Sequence, residues 1–216
     1  MHLLVVAATE GELSSLDTGV LAGRAGVEVV ITGVGMVATA AHVSRALART
    51  RFDLAINLGV CGAFDRTLAL GSVVHVTSDR LSELGVEDGS AFVPADAIGL
   101  VPADQAPFTG GCLVNAAPPA SICLEALPRV SAVTVNTVHG DEASIAAVVG
   151  RCHPQVESME GAAFMYACLV AGVPFAQVRA VSNYVERRDR AAWRLPEAIA
   201  SLGRVATALI TEVAAR

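Results

Sequence analysis

The chain contains no lysine, so its 15 basic side chains other than histidine are all arginine, set against 21 acidic residues for a formal net charge of −6. That balance offers no general surface for nucleic acid or an anionic membrane and points to a small-molecule partner. The five cysteines, Cys61, Cys112, Cys123, Cys152 and Cys168, are odd in number and form no C-x-x-C pair. Neither a disulfide framework nor a zinc site follows from them, and they read as small core residues in a reducing compartment. No metal and no cofactor is expected. The apolar start from Leu3 to Ala8 meets Glu10 and Glu12 too soon for a signal peptide, and Gly172 to Pro174 interrupts the longest uncharged run. A cytoplasmic protein is expected. No linker, internal repeat or low-complexity segment divides the 216 residues, and 53% hydrophobic content can fill a large core, so one domain spanning 1–216 is expected.

The most informative stretch runs from Pro154 to Glu186. Ser158 reads as a helix N-cap, which would place Glu160 in the first turn, where free backbone N–H groups favour a carboxylate. The uncharged residues that follow break at Gly172, Val173 and Pro174 into a helix and a strand. That strand, Phe175 to Val181, holds one charge, Arg179, and the chain leaves it through Ser182, Asn183 and Tyr184. Polar groups where strands end and helices begin are where open α/β sheets bind ligands.

Elsewhere, His2 to Ala8 reads as a buried strand, and Thr9 with Glu12 fits a capping box opening a helix to about Leu21. A strand from Val27 to Thr32 ends in Gly33, Val34, Gly35, Met36, Val37 and Ala38, the G-x-G-x-x-A pattern, ahead of a helix to about Arg49. Asp53 lies at the spacing of a ribose-binding acid, but it starts the next strand, Leu54 to Leu58, rather than ending one, so this is not a dinucleotide site. The glycines instead suit backbone approach to a smaller polar ligand. Asn57 to Ala63 reads as a second glycine-rich turn, Gly71 to Asp79 as a strand, and 81–119 as a loop with little regular structure. Ser121 to Leu127 suits a short helix, Ala132 to Val138 a strand, and His139 to Glu142 the entry of a helix ending near Gly150. A lone histidine at a strand end, such as His139, is more often structural than catalytic. Glu186 to Arg190 suits a solvated turn, and the closing helix spans about Trp193 to Ala215.

In order and spacing, Glu10 to Glu12, Gly33 to Met36, Asn57 to Gly62, His139 to Asp141, Met159 with Glu160, and Val178 to Asn183 resemble the nucleoside phosphorylase and nucleosidase family along nearly the whole chain. Glu160 to Ala163 and Ser182 to Glu186 look most like the branch that splits futalosine, a nucleoside of menaquinone biosynthesis, into hypoxanthine and dehypoxanthinyl futalosine. The resemblance implies an α/β fold with a mixed, partly closed sheet flanked by helices, usually assembled as a homo-oligomer. It implies that Glu160 accepts from both ribose hydroxyls, that Met159 packs on the sugar, and that Val60, Cys61, Gly62 and Ser182 line the substrate. Arg179 would pair with Glu12 beside the attacking water, and Asn183 would read the base. Adenine-cleaving relatives carry an aspartic acid at the Asn183 position; an amide offers one acceptor and two donors, which match the oxo group and ring N–H of hypoxanthine. Phosphorylases of the family hold phosphate with an arginine where this chain has Asn57; Arg24, the nearest alternative, precedes the strand from Val27 to Thr32 and so lies away from the turn that follows it. Arg187, Arg188 and Arg190 are candidates for a carboxylate at the far end of the substrate. A purine nucleoside phosphorylase, a methylthioadenosine-type nucleosidase and a noncatalytic nucleoside-binding sensor are the alternatives.

Overall fold

A computed structural model describes residues 1–20, 26–89 and 91–215, so Arg24 lies outside the described residues. In chain order the first elements are β1 (Leu3–Ala7), β2 (Val27–Ile31), α1 (Met36–Arg49), β3 (Leu54–Ala63) and β4 (Val73–Leu81). The strands β5 (Gly85–Asp88), β6 (Ala91–Pro94), β7 (Phe108–Thr109) and β8 (Cys112–Val114) follow, then α2 (Ile122–Glu125), β9 (Arg129–Thr134) and α3 (Glu142–Cys152). The chain closes with β10 (Val156–Ser158), α4 (Gly161–Ala171), β11 (Phe175–Tyr184) and α5 (Leu195–Ala214).

The organising strand is β3. It runs parallel to β1 along one edge and to β11 along the other, while its last residues, Gly62 and Ala63, pair antiparallel with Glu157 and Val156 of β10. Because β11 also pairs with β4, β4 with β9, and β9 with β10, the five strands β3, β11, β4, β9 and β10 close into a ring. Strands β1 and β2 extend the sheet from β3, and β8 and β7 extend it from β4. This is the mixed, partly closed sheet that the family resemblance implies.

Every residue of β1 is buried, because helices cover both faces of the sheet there. Leu3 and Val5 meet α5 through Leu202 and Leu209, whereas Leu4 and Val6 meet α1 and α4 through Val43 and Phe164. A separate cluster of Cys61, Val74, Val130, Val156 and Val181 draws on all five strands of the ring. Among the described residues, no helix is long and apolar enough to cross a membrane.

Several expectations need correction. The second glycine-rich turn is not a turn, since β3 continues through it to Ala63. Gly59 and Gly62 serve close approach instead: a Cβ on Gly59 would lie 2.8 Å from Arg179 Nη1, and one on Gly62 would lie 2.9 Å from Val185 Cγ2. Among the described residues the first helix is reduced to the 3₁₀ turns Glu10–Leu13 and Thr18–Val20, and its expected end near Leu21 lies outside them. The strand expected over Ala132 to Val138 lies at Arg129–Thr134. The segment 81–119 holds the β5–β6 hairpin and the β7–β8 pair, and β8 finds its partner in β4.

Candidate active site

Strands β1, β3 and β11 are parallel, so the residues after Ala7, the end of β3, and Ser182 with Asn183 emerge on one edge of the sheet. Between them lies a cleft with an empty volume of about 980 Å³. Its walls include Glu12, Val60, Cys61 and Gly62 from the first part of the chain, and Met159, Glu160, Ser182 and Asn183 from the second. All the site residues expected from sequence except Arg179 therefore line one space. Residues that sequence reasoning did not pick, Val34, Glu157, Trp193, Leu195 and Ile199, complete it. The only signal for Trp193 was its being the sole tryptophan, set just before the last helix.

Glu12 does what its capping-box spacing suggests and more. Its Oε2 accepts from the backbone N–H groups of Ala8 and Thr9, both at 3.0 Å, and its Oε1 accepts from Val60 N at 3.2 Å. The side chain thus ties the end of β1 to β3 while facing the cleft. The expected Glu12–Arg179 ion pair is not formed. Arg179 is buried, its Nη2 donates to Asn57 Oδ1, and its Nε has no partner among the described residues. Arg179 and Glu12 instead approach Gly59 together: a Cβ there would meet Arg179 Nη1 at 2.8 Å and Glu12 Oε1 at 2.9 Å. Asn57 is buried, with its Nδ2 donating to Val6 O at 3.1 Å and its oxygen taken by Arg179.

Glu160 is itself the N-cap residue of α4, so the helix starts two residues later than expected, because Ser158 ends β10. Ser158 still caps: its Oγ accepts from Gly161 N at 3.3 Å. Glu160 Oε1 accepts from Gly35 N at 3.0 Å. That contact needs the turn at Gly33 and Gly35, whose φ values of 83° and 99° are left-handed backbone suited to glycine. Glu160 Oε2 has no protein partner among the described residues.

A register shift between Val181 and Asn183 turns Ser182 and Asn183 toward the cleft. Asn183 Nδ2 donates to Tyr184 O at 3.0 Å, and its Oδ1 lies 2.8 Å from Ser182 Oγ. A carbonyl can only accept, so the amide nitrogen must face Tyr184. One N–H and one lone pair of Asn183 remain for a ligand. Burial pushes the Cys61 thiol up to about 12, only partly offset by the charge of Arg179, so this thiol is a neutral wall and not a nucleophile.

Past Asn183 the cleft continues into a chamber with an empty volume of about 680 Å³, bounded by His139, Gly140, Tyr184 and Arg188, with Gly62, Val138, Glu157, Asn183 and Trp193 shared between the two. His139 Nδ1 lies 2.6 Å from Glu157 Oε2, and its backbone N–H donates to Glu157 Oε1 at 3.0 Å. Arg188 lies over Trp193, whereas neither Arg187 nor Arg190 lines either space. Among the described residues no group of histidine, cysteine or carboxylate side chains could hold a metal.

Behind Glu160 sits a further buried carboxylate. Asp79 Oδ1 accepts from Thr134 Oγ1 at 2.9 Å, and Thr134 Oγ1 in turn accepts from Ala162 N at 2.7 Å in the first turn of α4. Burial pushes Asp79 up to about 6 despite that bond and another from Gln177 Nε2 at 3.1 Å.

A ring-closed mixed sheet with this polar edge defines a class. The family model of the phosphorylase superfamily matches residues 11–214, and the chain belongs to that superfamily. Within it, the futalosine hydrolase of Streptomyces coelicolor is 32% identical over 228 residues, covering 94% of this chain and 92% of the relative. The futalosine hydrolase of Thermus thermophilus is also 32% identical, over 189 residues, covering 84% and 80%. The fold is shared with a 5′-methylthioadenosine/S-adenosylhomocysteine nucleosidase of Colwellia psychrerythraea in complex with adenine, at a TM-score of 0.75 and 20% identity over 98% of this chain and 95% of that one. These relatives place the chain among the nucleosidases of the superfamily.

Proposed function

We propose that the protein hydrolyses the N-glycosidic bond of futalosine, releasing hypoxanthine, with water as the nucleophile. The observation that carries this reading is the charge of the cleft: Glu12, Glu157 and Glu160 line it, and among the described residues no arginine does. Such a cleft favours the positive charge that a ribosyl ring gains as its C–N bond breaks and disfavours a phosphate dianion. Asn57, where family phosphorylases carry arginine, has its amide committed to Val6 and Arg179. The 32% identity to curated futalosine hydrolases supports the substrate.

In this reading Glu160, with Oε2 open, accepts from the ribose hydroxyls, and charge-assisted bonds of that kind contribute about 1.5–3 kcal/mol each. Met159 packs on the sugar face. Glu12 takes the proton from water, oriented by its three backbone donors. Arg179 acts from behind Gly59 by holding Asn57 and sending positive charge toward Glu12. Asn183 uses its remaining N–H and lone pair on the base, while Val60, Cys61, Gly62 and Ser182 shape the wall. The single-domain chain works as a homo-oligomer in the cytoplasm; Val34 and Val37, 57% and 82% exposed, supply apolar surface beside the cleft for a second copy.

The test follows base release from futalosine, inosine and methylthioadenosine in phosphate-free buffer, then titrates phosphate. Full hydrolysis of futalosine without phosphate, giving a free reducing sugar, is expected. Obligatory phosphate with a ribose-1-phosphate product would make the protein a phosphorylase, preferred methylthioadenosine cleavage would reassign the substrate, and binding without turnover would make it a sensor.

A further inference from the structure

We propose that Glu157, held by His139, determines base specificity: its carboxylate accepts the ring N–H next to the oxo group of a 6-oxopurine. The inference rests on the nucleosidase reading only for the presence of a purine in this cleft. Glu157 is 4% exposed, yet it lines both the cleft and the chamber beyond, as does Asn183. A Cβ on Gly62 would lie 3.2 Å from Asn183 Nδ2 and 3.6 Å from Glu157 Cγ, so the amide and the carboxylate meet over this one glycine.

A carboxylate so withdrawn from water is costly unless hydrogen-bonded. Here one residue supplies both donors, the backbone N–H of His139 to Oε1 and its ring Nδ1 to Oε2. The ring is braced edge-on by Phe64, 6.3 Å between centroids. Two donors leave about half of the acceptor sites of a carboxylate free. Asn183, after its bonds to Tyr184 and Ser182, keeps one N–H and one lone pair.

A 6-oxopurine presents an acceptor oxygen beside a donor N–H. The donor of Asn183 and the acceptor-only carboxylate of Glu157 match that order. A 6-aminopurine reverses it, with a donor amine beside an acceptor ring nitrogen, and would set that nitrogen's lone pair against the carboxylate. His139 is then a positioning residue, which keeps the Glu157 oxygens turned to the base edge.

Free-base binding tests this without requiring turnover. Calorimetry with hypoxanthine, 1-methylhypoxanthine and adenine should show the wild type binding hypoxanthine best and losing roughly 10- to 100-fold with the N1-methylated base. Glu157→Gln, which keeps the shape but can donate to a ring nitrogen, should weaken hypoxanthine by a similar factor and leave adenine unchanged or improved. His139→Gln, which retains a donor, should preserve the preference better than His139→Ala at equal folded fraction. An unchanged hypoxanthine-to-adenine ratio in Glu157→Gln, or equal wild-type binding of the methylated base, overturns the proposal. A base preference that follows Glu157 in a protein that cleaves no nucleoside would overturn the nucleosidase reading and leave this one standing.

Discussion

Asp79 gives the sharpest quantitative expectation, because it is a buried carboxylate with no ion-pair partner of its own among the described residues. Its folded-state value is raised from 3.8 to about 6, burial outweighing the bonds from Gln177 and Thr134 and the charge of Arg179. The folded protein therefore binds the Asp79 proton more tightly than the unfolded chain does. Stability is unaffected below about pH 3.8, declines as pH rises toward 6, and stays lowered above that. Two pH units at about 1.36 kcal/mol each set the loss at about 3 kcal/mol at neutral pH. Asp79→Asn removes it. The new amide can keep its oxygen toward Thr134, and its N–H₂ can meet Gln177 once that side chain turns its Oε1 inward, an oxygen that now has no partner. The variant should melt roughly 5–10 °C above the wild type at pH 7–8. Melting curves from pH 4 to pH 8 should show the gap opening through pH 4–6 and then holding. A gap independent of pH, or a variant less stable than wild type at pH 8, would refute the argument.

Glu160→Gln should fold normally and lose most turnover, at least about 100-fold, since an amide cannot accept from two hydroxyls with full charge; near-normal kcat would remove its ribose role. Glu12→Gln keeps an acceptor for Ala8 and Thr9 but sets a donor against Val60 N, so a loss of about 1 kcal/mol in stability should accompany a far larger fall in kcat. Loss of stability with full specific activity would leave Glu12 as a cap alone. Asn183→Asp should raise adenine-nucleoside cleavage relative to hypoxanthine release, read from paired kcat/KM values; an unchanged ratio would take Asn183 out of base recognition. His75, buried with both ring nitrogens unpartnered among the described residues, is pushed down to about 4 from 6.5, by burial first and the charge of Arg129 second. The unfolded chain then binds the extra proton, so stability is lost as pH falls through 6.5 to 4, by up to about 3 kcal/mol. His75→Leu should flatten that acid limb in melting curves, and an unaltered acid limb would remove His75 as its cause.

The central motifs were legible because they are local: Thr9 with Glu12, Gly33 with Gly35, and Met159 with Glu160 each act within a few residues. What sequence obscured was long-range. Gly59 and Gly62 looked like turn residues, yet they sit within a strand because Arg179, Val185 and Asn183, all more than 100 residues away, need their missing side chains. Arg179 stood out as the lone charge in its strand, but its partner was misassigned. The parallel register sets Gln177 beside Asn57 and Arg179 beside Gly59, so the guanidinium reaches back two residues on the same face to Asn57. His139 with Glu157 was invisible for a similar reason: β9 and β10 bring together two ends of a loop and helix that separate them by 18 residues.

The three carboxylates of the cleft share one device that no side-chain pattern reveals. Glu12 is held by the N–H groups of Ala8, Thr9 and Val60, Glu160 by that of Gly35, and Glu157 by the backbone and ring of His139. Among the described residues no arginine holds any of them, and Arg179, which approaches Gly59 together with Glu12, is turned to Asn57. A guanidinium partner would have cancelled the charge that a ribosyl cation needs, whereas backbone amides orient a carboxylate and leave its net charge intact. In an enzyme whose only long cations are arginines, keeping them off these three side chains is what makes the cleft negative. Introducing one should therefore be more damaging than removing a carboxylate's neighbour. Val34→Arg, on the cleft wall, should depress kcat/KM at unchanged oligomeric state, checked by size-exclusion chromatography because Val34 also belongs to the apolar surface proposed for a second copy, and high salt should partly restore it by screening. A salt-insensitive loss would mean that the arginine acts by bulk and not by charge.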